Sequence, residues 1–292
     1  MPPPFMEIAA AIAAAEARAG GGFDARAEAA EALEIHALDR LEILAAQGCD
    51  AGGLEPLRTR AVDLRARLEA AQLRTLGRLR ARIRAGRYTR PGLRRLLERH
   101  GGTAGAPGTY DGMDLLLQGL LGHGEPAEPR AALEAGMVAY QPTPARAILD
   151  LVDRAAIGPG DLLVDLGSGL GQVALLSALL CGARARGVEL EPAYVDCARR
   201  CAAGLNLHGV EFIQADAREA PLDGGSVYYL FTPFRGPLLG AVLGRLGAEA
   251  RQRPIKLCTY GPCTEMVSTQ TWLKPSGAGA LRADAVAVFQ TL

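Results

Sequence analysis

The chain has 292 residues and a formal net charge of +0, with 32 basic and 32 acidic side chains. This length exceeds one typical domain and allows a sizeable core, so we expect two domains. Balanced charge gives no general attraction to nucleic acid or anionic membranes, and no apolar run approaches the length of a membrane span, about 18 residues. The Pro-Pro-Pro-Phe start lacks the features of a secretion signal, so we expect a cytoplasmic protein.

The first 139 residues predict an all-α domain. Apolar side chains recur there at helical spacing, which is typical of helices that bury one face. We predict helices over 7–18, 24–47, 56–86 and 93–100 and a short helix at 115–117, with Gly52 and Gly53 joining the second and third. Thr89 is placed to cap the fourth helix.

Two glycine-rich breaks, 101–108 and 119–129, interrupt this region. The first is predicted to be flexible. The second could be either a mobile lid or a plain linker, and the sequence favours neither interpretation. We therefore describe residues 1–139 as a helical domain that includes a flexible linker or lid.

The charges of these helices are unevenly distributed. Residues 24–50 hold seven acids and two arginines, whereas residues 58–99 hold fourteen arginines and three acids. We expect these opposite charges to pair with one another in large part. The Arg-rich stretch 58–99 could also bind an acidic partner such as a carrier protein. Nucleic acid is a weaker alternative, because aromatic side chains for base stacking are nearly absent there.

The six cysteines include no Cys-x-x-Cys pair. Cys197 and Cys201 share a helix face, and Cys258 and Cys263 flank a predicted turn, so four thiolates could gather around zinc. We favour buried free thiols, which behave as small apolar side chains in protein cores. We therefore predict no metal site.

Residues 140–292 predict a second domain, in which strands and helices alternate. We predict strands at 162–166, 185–189, 210–214, 226–231, 255–260, 269–273 and 284–291, and helices over 145–156, 170–181, 192–206 and 236–250. Such alternation is typical of a mainly parallel sheet covered by helices on both faces. Sheets of this kind bind ligands at the carboxyl ends of their strands.

A glycine-rich turn follows the first of these strands. After Asp165, glycine occupies positions 167, 169 and 171. Glycines let the backbone approach a ligand closely, and the helix that follows presents free N–H groups. A dinucleotide site would have its third glycine at position 172, where this chain has Gln172. Glu189 ends the next strand, where its carboxylate can accept both hydroxyls of a ribose.

The segment from Asp165 to Val173 resembles the first motif of class I S-adenosylmethionine-dependent methyltransferases, above all the disruptor-of-telomeric-silencing histone lysine methyltransferases. Tyr140-Gln-Pro-Thr-Pro144 is similar to the Pro-Thr-Pro segment of mitochondrial lysine methyltransferases and their bacterial relatives. The resemblance covers residues 140–292. It implies a Rossmann-like α/β sheet of seven strands, the last pair antiparallel, with S-adenosylmethionine as cofactor.

The resemblance also implies the residues that bind the cofactor, which are Tyr140, Thr143, Asp165, Gly167, Gly169, Gly171, Gln172, Glu189, Asp216 and Ala217. Asp165 would bind the methionine ammonium and Asp216 the adenine amino group, although Asp216 could instead cap a turn. Thr143 would contact the methionine carboxylate. Alternatively or in addition, it would cap a helix that begins at Pro144.

The fourth motif of this family matches Phe231-Thr-Pro-Phe-Arg235 and lines the methyl-transfer channel. Thr232 stands where many amine methyltransferases have Asn or Asp. Thr232, Phe234 and Tyr140 are therefore the candidates for the acceptor site, while the catalytic residue stays unknown. We expect a methyltransferase for a small-molecule or carrier-bound acceptor. The alternatives are a protein lysine methyltransferase and a scaffold that binds the cofactor without turnover.

Overall fold

The structure is a computed structural model, and it describes residues 3–49, 51–101, 109–123, 134–277 and 281–292. Its helices are α1 (Pro3–Arg18), α2 (Phe23–Leu33), α3 (Asp39–Ala46), α4 (Ala51–Arg84), α5 (Arg90–His100), α6 (Gly112–Leu121), α7 (Ala145–Arg154), α8 (Gln172–Cys181), α9 (Pro192–Leu205), α10 (Gly236–Ala250) and α11 (Cys263–Ser268). Its strands are β1 (Leu162–Leu166), β2 (Arg184–Glu189), β3 (Val210–Gln214), β4 (Val227–Leu230), β5 (Lys256–Thr259), β6 (Leu273–Pro275) and β7 (Ala287–Thr291). Most of the predicted breaks 101–108 and 119–129 falls outside the described residues.

The chain divides into two compact units, Met1–Leu79 and Arg80–Leu292. The sequence pattern predicts the division at 139/140 instead. The two boundaries differ because α5 packs against α6 and α8, and α6 packs against α7. These contacts group α5 and α6 with the sheet, although their own sequence is purely helical.

The first unit is helical and has its own core. Its buried side chains come from the apolar stripes, and include Ile8, Leu33, Leu64 and Leu68. A π-helical turn at Glu34–Leu38 joins α2 to α3, so the predicted helix over 24–47 is nearly continuous. Gly52 and Gly53 lie in the first turn of α4 rather than between two helices, and Pro56 lies inside this helix, which begins five residues earlier than predicted.

Opposite charges pair within the first unit, as the sequence predicts. Arg60 binds Glu16, and Arg65 lies 2.6 Å from Glu34. By contrast Arg67, Arg74 and Arg78 are exposed and form no ion pair with the described residues. An acidic partner for this surface stays a prediction. None of the described helices is both long enough and apolar enough to cross a membrane.

Seven strands of the described chain form one sheet in the order β3-β2-β1-β4-β5-β7-β6. The first five strands in this order are parallel to one another, and β7 runs antiparallel to both β5 and β6. This confirms the predicted mixed sheet with an antiparallel last pair. The strands β1 and β4 are fully buried, as expected for central parallel strands covered on both faces.

The order of the strands determines where the sheet opens. The chain leaves β1 for β2 and β3 on one side and returns to β4 on the other. Loops after β1 and β4 therefore diverge, which leaves a crevice at the carboxyl ends of the strands. The helix α11, which follows β5, is absent from the sequence prediction. It spans only Cys263–Ser268, too few residues for a helical period to be recognised.

A buried acid connects α6 to the start of α7. Asp111 and Asp114 form a reciprocal capping box at the first turn of α6. One Asp114 carboxylate oxygen also accepts a hydrogen bond from the backbone N–H of Ala145, at 2.7 Å. The side chain is buried, and burial raises the pKa of its carboxyl. Asp114 therefore caps two helices at once.

We expect Asp114→Ala to lower the free energy of unfolding by about 1–3 kcal/mol, because two buried backbone N–H groups lose their acceptor. Urea unfolding at neutral pH would measure the change. Asp63→Ala, at an exposed position on α4, is the matched control and should cost less than about 0.5 kcal/mol. Equal costs for the two variants would show that the double cap contributes nothing.

Candidate functional site

A cavity of about 270 Å³ lies at the carboxyl ends of β1, β2 and β4. It is lined by most of the residues that the sequence predicts for the site, which are Tyr140, Thr143, Asp165, Gly167, Gln172, Glu189, Asp216, Ala217, Thr232 and Phe234. Gly169 and Gly171 belong to the adjoining turn. The structure thus brings the predicted residues together around one cavity.

The glycine turn between β1 and α8 has a left-handed backbone at Gly167, Gly169 and Gly171. A Cβ atom on Gly169 would lie 2.2 Å from the ring of Tyr140. A Cβ atom on Gly171 would lie 2.4 Å from the ring of Phe212, on β3. Since real side chains need more space, glycine is required at both positions for packing as well as for backbone conformation.

Glu189 holds this turn in place from the end of β2. Its Oε2 accepts a hydrogen bond from the Gly169 N–H at 2.8 Å. Its Oε1 accepts from the N–H groups of Leu190 and Glu191, at 2.8 and 2.9 Å. The carboxylate thus organises the backbone on two sides of the cavity, a role that the sequence did not indicate.

Asp165, the last-but-one residue of β1, is 3% exposed, and its Oδ2 has no hydrogen-bond partner among the described residues. Burial and, to a lesser extent, the nearby Glu189 carboxylate raise its pKa to about 8. An unpaired buried carboxylate is costly unless a cation approaches it. The arrangement therefore suits a positively charged ligand group.

The carboxylate of Asp216 already has hydrogen-bond partners within the protein. Its Oδ1 accepts a hydrogen bond from the Arg218 N–H at 2.7 Å, which is the turn-capping alternative. Both carboxylate oxygens also accept from the Arg218 guanidinium, and these bonds lower the pKa of Asp216. Asp216 still lines the cavity beside Ala217, so a ligand group that binds there would share this carboxylate with Arg218.

The segment Tyr140–Pro144 runs along the cavity ahead of α7. Thr143 is buried, and its hydroxyl lies 3.4 Å from the hydroxyl of Tyr229 on β4. The amide of Gln172 donates to the Thr143 carbonyl oxygen at 2.9 Å. The predicted capping role of Thr143 is wrong, because α7 begins at Ala145 and receives its cap from Asp114.

A second stretch, residues 136–138, pairs with the segment after β4. Met137 and Phe234 form an antiparallel bridge. Val138 N–H donates to the Pro233 carbonyl oxygen at 3.2 Å, and Arg235 N–H donates to the Gly136 carbonyl oxygen at 2.8 Å. Met137, Val138 and Phe234 all line the cavity. We call the paired backbone of residues 136–138 and 233–235 the roof of the cavity.

Thr232 has a left-handed backbone, with φ of 43°, which is rare for a β-branched residue and costs of order 1–3 kcal/mol. Its hydroxyl donates to the Tyr260 carbonyl oxygen and accepts from the Cys263 N–H, both at 3.1 Å. The hydroxyl is therefore engaged within the protein. Thr232 lines the cavity but does not offer a free polar group there.

Residues 163–236 match the family model described as a methyltransferase domain. Residues 163–236 therefore carry a methyltransferase domain. The order of the seven strands and the antiparallel β7 agree with the S-adenosylmethionine-dependent class, whose cofactor is S-adenosylmethionine. No curated protein matches the chain.

Three solved structures are similar to parts of the chain. An RNA methyltransferase from Salinibacter ruber, in complex with S-adenosyl-L-homocysteine, is 25% identical over 52% of this chain and 92% of its own, with a TM-score of 0.42. A precorrin-6y C5,15-methyltransferase from Geobacter metallireducens is 14% identical over 53% of this chain and 92% of its own, with a TM-score of 0.40. A SAM-dependent methyltransferase from Thiobacillus denitrificans is 24% identical, with a TM-score of 0.34, and the match covers 39% of this chain and 47% of that one.

Two residues that contact the segment before α7 or the glycine turn were not predicted. Tyr110 donates to the Pro142 carbonyl oxygen at 2.7 Å, and His123 lies 3.0 Å from the Leu170 carbonyl oxygen in the glycine turn. Tyr110 and His123 precede the sheet by many residues, and only the folded chain shows that they approach it.

The six cysteines are free thiols. Cys197 and Cys201 are buried on α9, and Cys258 and Cys263 are buried near β5. Within the described ranges no group of His, Cys, Asp and Glu side chains could hold a metal ion. Burial raises the pKa of Cys258 to about 12, which keeps this thiol protonated.

We expect Thr143→Ala to weaken the binding of S-adenosylhomocysteine about five- to tenfold, as the loss of one hydrogen bond predicts. The melting temperature should fall only modestly, because Thr143 does not cap α7 and its hydroxyl makes one long contact, of 3.4 Å, with the Tyr229 hydroxyl. Calorimetric titration and thermal unfolding measure the two effects. Thr143→Ser keeps the hydroxyl and is the matched control. Affinity within twofold of the wild type for Thr143→Ala would contradict the prediction.

Proposed function

We propose that the protein transfers the methyl group of S-adenosylmethionine to a small-molecule or carrier-bound acceptor. The observation that carries the proposal is the roof over the part of the cavity that adjoins β4. Backbone pairing between residues 136–138 and 233–235 covers this part of the site. A covered, largely apolar space suits a compact acceptor better than a protein surface.

The side chains around the cavity fit the cofactor. Asp165 supports this fit most directly, because its unpaired oxygen can accept from the methionine ammonium. Glu189, which already binds three backbone N–H groups, would accept from the ribose hydroxyls. Thr143 and the start of α8 would face the methionine carboxylate. Asp216 and Ala217 would contact the adenine.

The bound cofactor supplies a methyl group made electrophilic by a sulfonium. The protein's task is then to align the acceptor opposite the sulfur and exclude water. Phe231, Pro233, Phe234 and Pro262 supply apolar surface for this purpose. Tyr140, Thr232 and Phe234 would define the acceptor position. Thr232 does so by holding the loop rather than by its hydroxyl, which is bonded to Tyr260 and Cys263.

A protein lysine acceptor is the alternative. It is supported by the likeness of the glycine turn and the Pro-Thr-Pro segment to lysine-modifying families. The engaged Thr232 hydroxyl counts against it, because the Asn or Asp found in many amine methyltransferases offers a free polar group at this position. A scaffold that binds the cofactor without turnover is the third possibility.

Transfer of radiolabelled methyl groups into a cell lysate separates these three functions. We expect the label in small molecules that organic solvent extracts. Label in protein would favour the lysine alternative, and no label would favour the scaffold. Glu189→Ala, which should bind the cofactor poorly, is the control for label transferred by other enzymes of the lysate.

A further inference from the structure

One positive charge stands out in the lining of the cavity. The described lining residues include four acids, Asp165, Glu189, Glu191 and Asp216, and a single basic residue, Arg235. The acids lie on β1 and β2 or follow β2 and β3, where the cofactor is expected to bind. Arg235 follows β4 and therefore lies on the other side of β1 from these strands.

The strand order thus assigns Arg235 to the acceptor half of the site. The cofactor groups assigned to Asp165, Glu189 and Asp216 extend from β1 toward β3. The space beyond the reacting methyl group is then bounded by the loops after β4 and β5. Arg235 shares this wall with Phe234 and Pro262, which are apolar.

The backbone of Arg235 is fixed by a hydrogen bond, whereas its side chain has no partner among the described residues. Its N–H donates to the Gly136 carbonyl oxygen in the roof, at 2.8 Å. Its guanidinium forms no hydrogen bond and no ion pair with any residue that the structure describes, and the residue is exposed. By comparison, Arg218 is paired with Asp216 and Glu134, so Arg218 is already neutralised.

We propose that Arg235 binds a carboxylate or phosphate group of the acceptor, whose remaining part is apolar. This inference rests on the proposed methyl transfer. A guanidinium binds either anion through two parallel N–H···O bonds, which fixes orientation as well as position. The apolar wall would hold the body of the acceptor, while Arg235 anchors its anionic end at the rim of the cavity.

Matched probes test the charge requirement without knowledge of the natural acceptor. The full-length protein is saturated with S-adenosylhomocysteine, and benzoate, phenyl phosphate and benzamide are titrated separately by ligand-observed NMR. Benzamide has the shape of benzoate but no charge. We expect at least one of the two anions to bind about fivefold or more tightly than benzamide, as a charge-assisted bond predicts. The comparison of benzoate with phenyl phosphate tells which anion is preferred.

Two variants complete the test. Arg235→Gln should abolish the preference for the anion, whereas Arg251→Gln, at an exposed arginine beyond the far end of α10, should retain it. Equal binding of all three probes to the wild type would overturn the inference. So would weaker binding of S-adenosylhomocysteine to Arg235→Gln with probe preference unchanged, because Arg235 would then serve the cofactor. Failure of the wild type to bind S-adenosylhomocysteine would instead refute the proposed function itself.

Discussion

Asp165→Asn should produce a protein that is more stable than the wild type at alkaline pH and yet binds the cofactor poorly. Asp165 is buried, and its Oδ2 lacks a partner among the described residues. An amide of the same shape carries no charge that must be desolvated on folding, so the free energy of unfolding increases. The same amide cannot balance the methionine ammonium, so affinity for S-adenosylhomocysteine should fall by about tenfold or more.

The sign of the pH dependence follows from the raised pKa. The folded protein holds a proton on Asp165 up to about pH 8, whereas an unfolded chain loses it near about pH 4. Because the folded state binds the extra proton, wild-type stability falls as pH rises between these values. Asp165→Asn has no carboxyl group at this position and therefore lacks this pH-dependent loss of stability. The melting temperature of the variant should therefore exceed that of the wild type by a margin that grows from pH 5 to pH 9, by about 2–4 °C for each kcal/mol.

Proton release provides an independent check. A cationic group beside Asp165 favours the carboxylate, so binding of S-adenosylhomocysteine to the wild type at about pH 7 should release close to one proton. Calorimetry in buffers of different ionisation enthalpy measures this release. Asp165→Asn is the control and should release none. A variant that melts below the wild type at every pH, or unchanged proton release, would show that Asp165 is already ionised and paired.

Much of the fold could be predicted from the sequence because its strands are short apolar runs bounded by glycine, as at Leu162–Leu166 before Gly167. The strand–turn–helix pattern, repeated along residues 140–292, requires a sheet with crossovers. Helix α11 and the position of β6 were harder to predict. Helix α11 has six residues and β6 has three, which are too few to show a clear hydrophobic period. The grouping of α5 and α6 with the sheet depends on tertiary contacts that no local pattern reports.

The candidate site likewise contains residues that could be predicted from the sequence and residues that could not. The places of Asp165 and Glu189 at the cavity could be predicted, because both lie at the carboxyl ends of strands. Residues whose role depends on distant partners could not. The Thr232 hydroxyl is bonded to Tyr260 and Cys263, across the β4–β5 edge. Asp114 caps a helix that begins 31 residues later. Neither set of hydrogen bonds could be predicted from the spacing of residues in the sequence.

Gly169→Val should cause the largest loss of cofactor affinity among changes in the glycine turn. Gly169 has a φ of 52°, and its N–H donates to Glu189 at 2.8 Å. A β-branched side chain disfavours this conformation by at least about 1–2 kcal/mol. Its Cβ would also lie 2.2 Å from the Tyr140 ring. We expect S-adenosylhomocysteine to bind about a hundredfold more weakly, since both the turn and the Glu189 contact must shift.

A double-mutant cycle separates the strain of the backbone from the clash with Tyr140. The single changes are Gly169→Ala and Tyr140→Ala, and the combined variant carries both. If the ring contact matters, loss of the ring should recover part of the affinity that Gly169→Ala loses. Gly160→Ala is the control, because a Cβ there meets nothing within 4 Å and its φ is not left-handed. Strict additivity of the two single changes would show that Tyr140 moves aside freely and that only the backbone requires glycine.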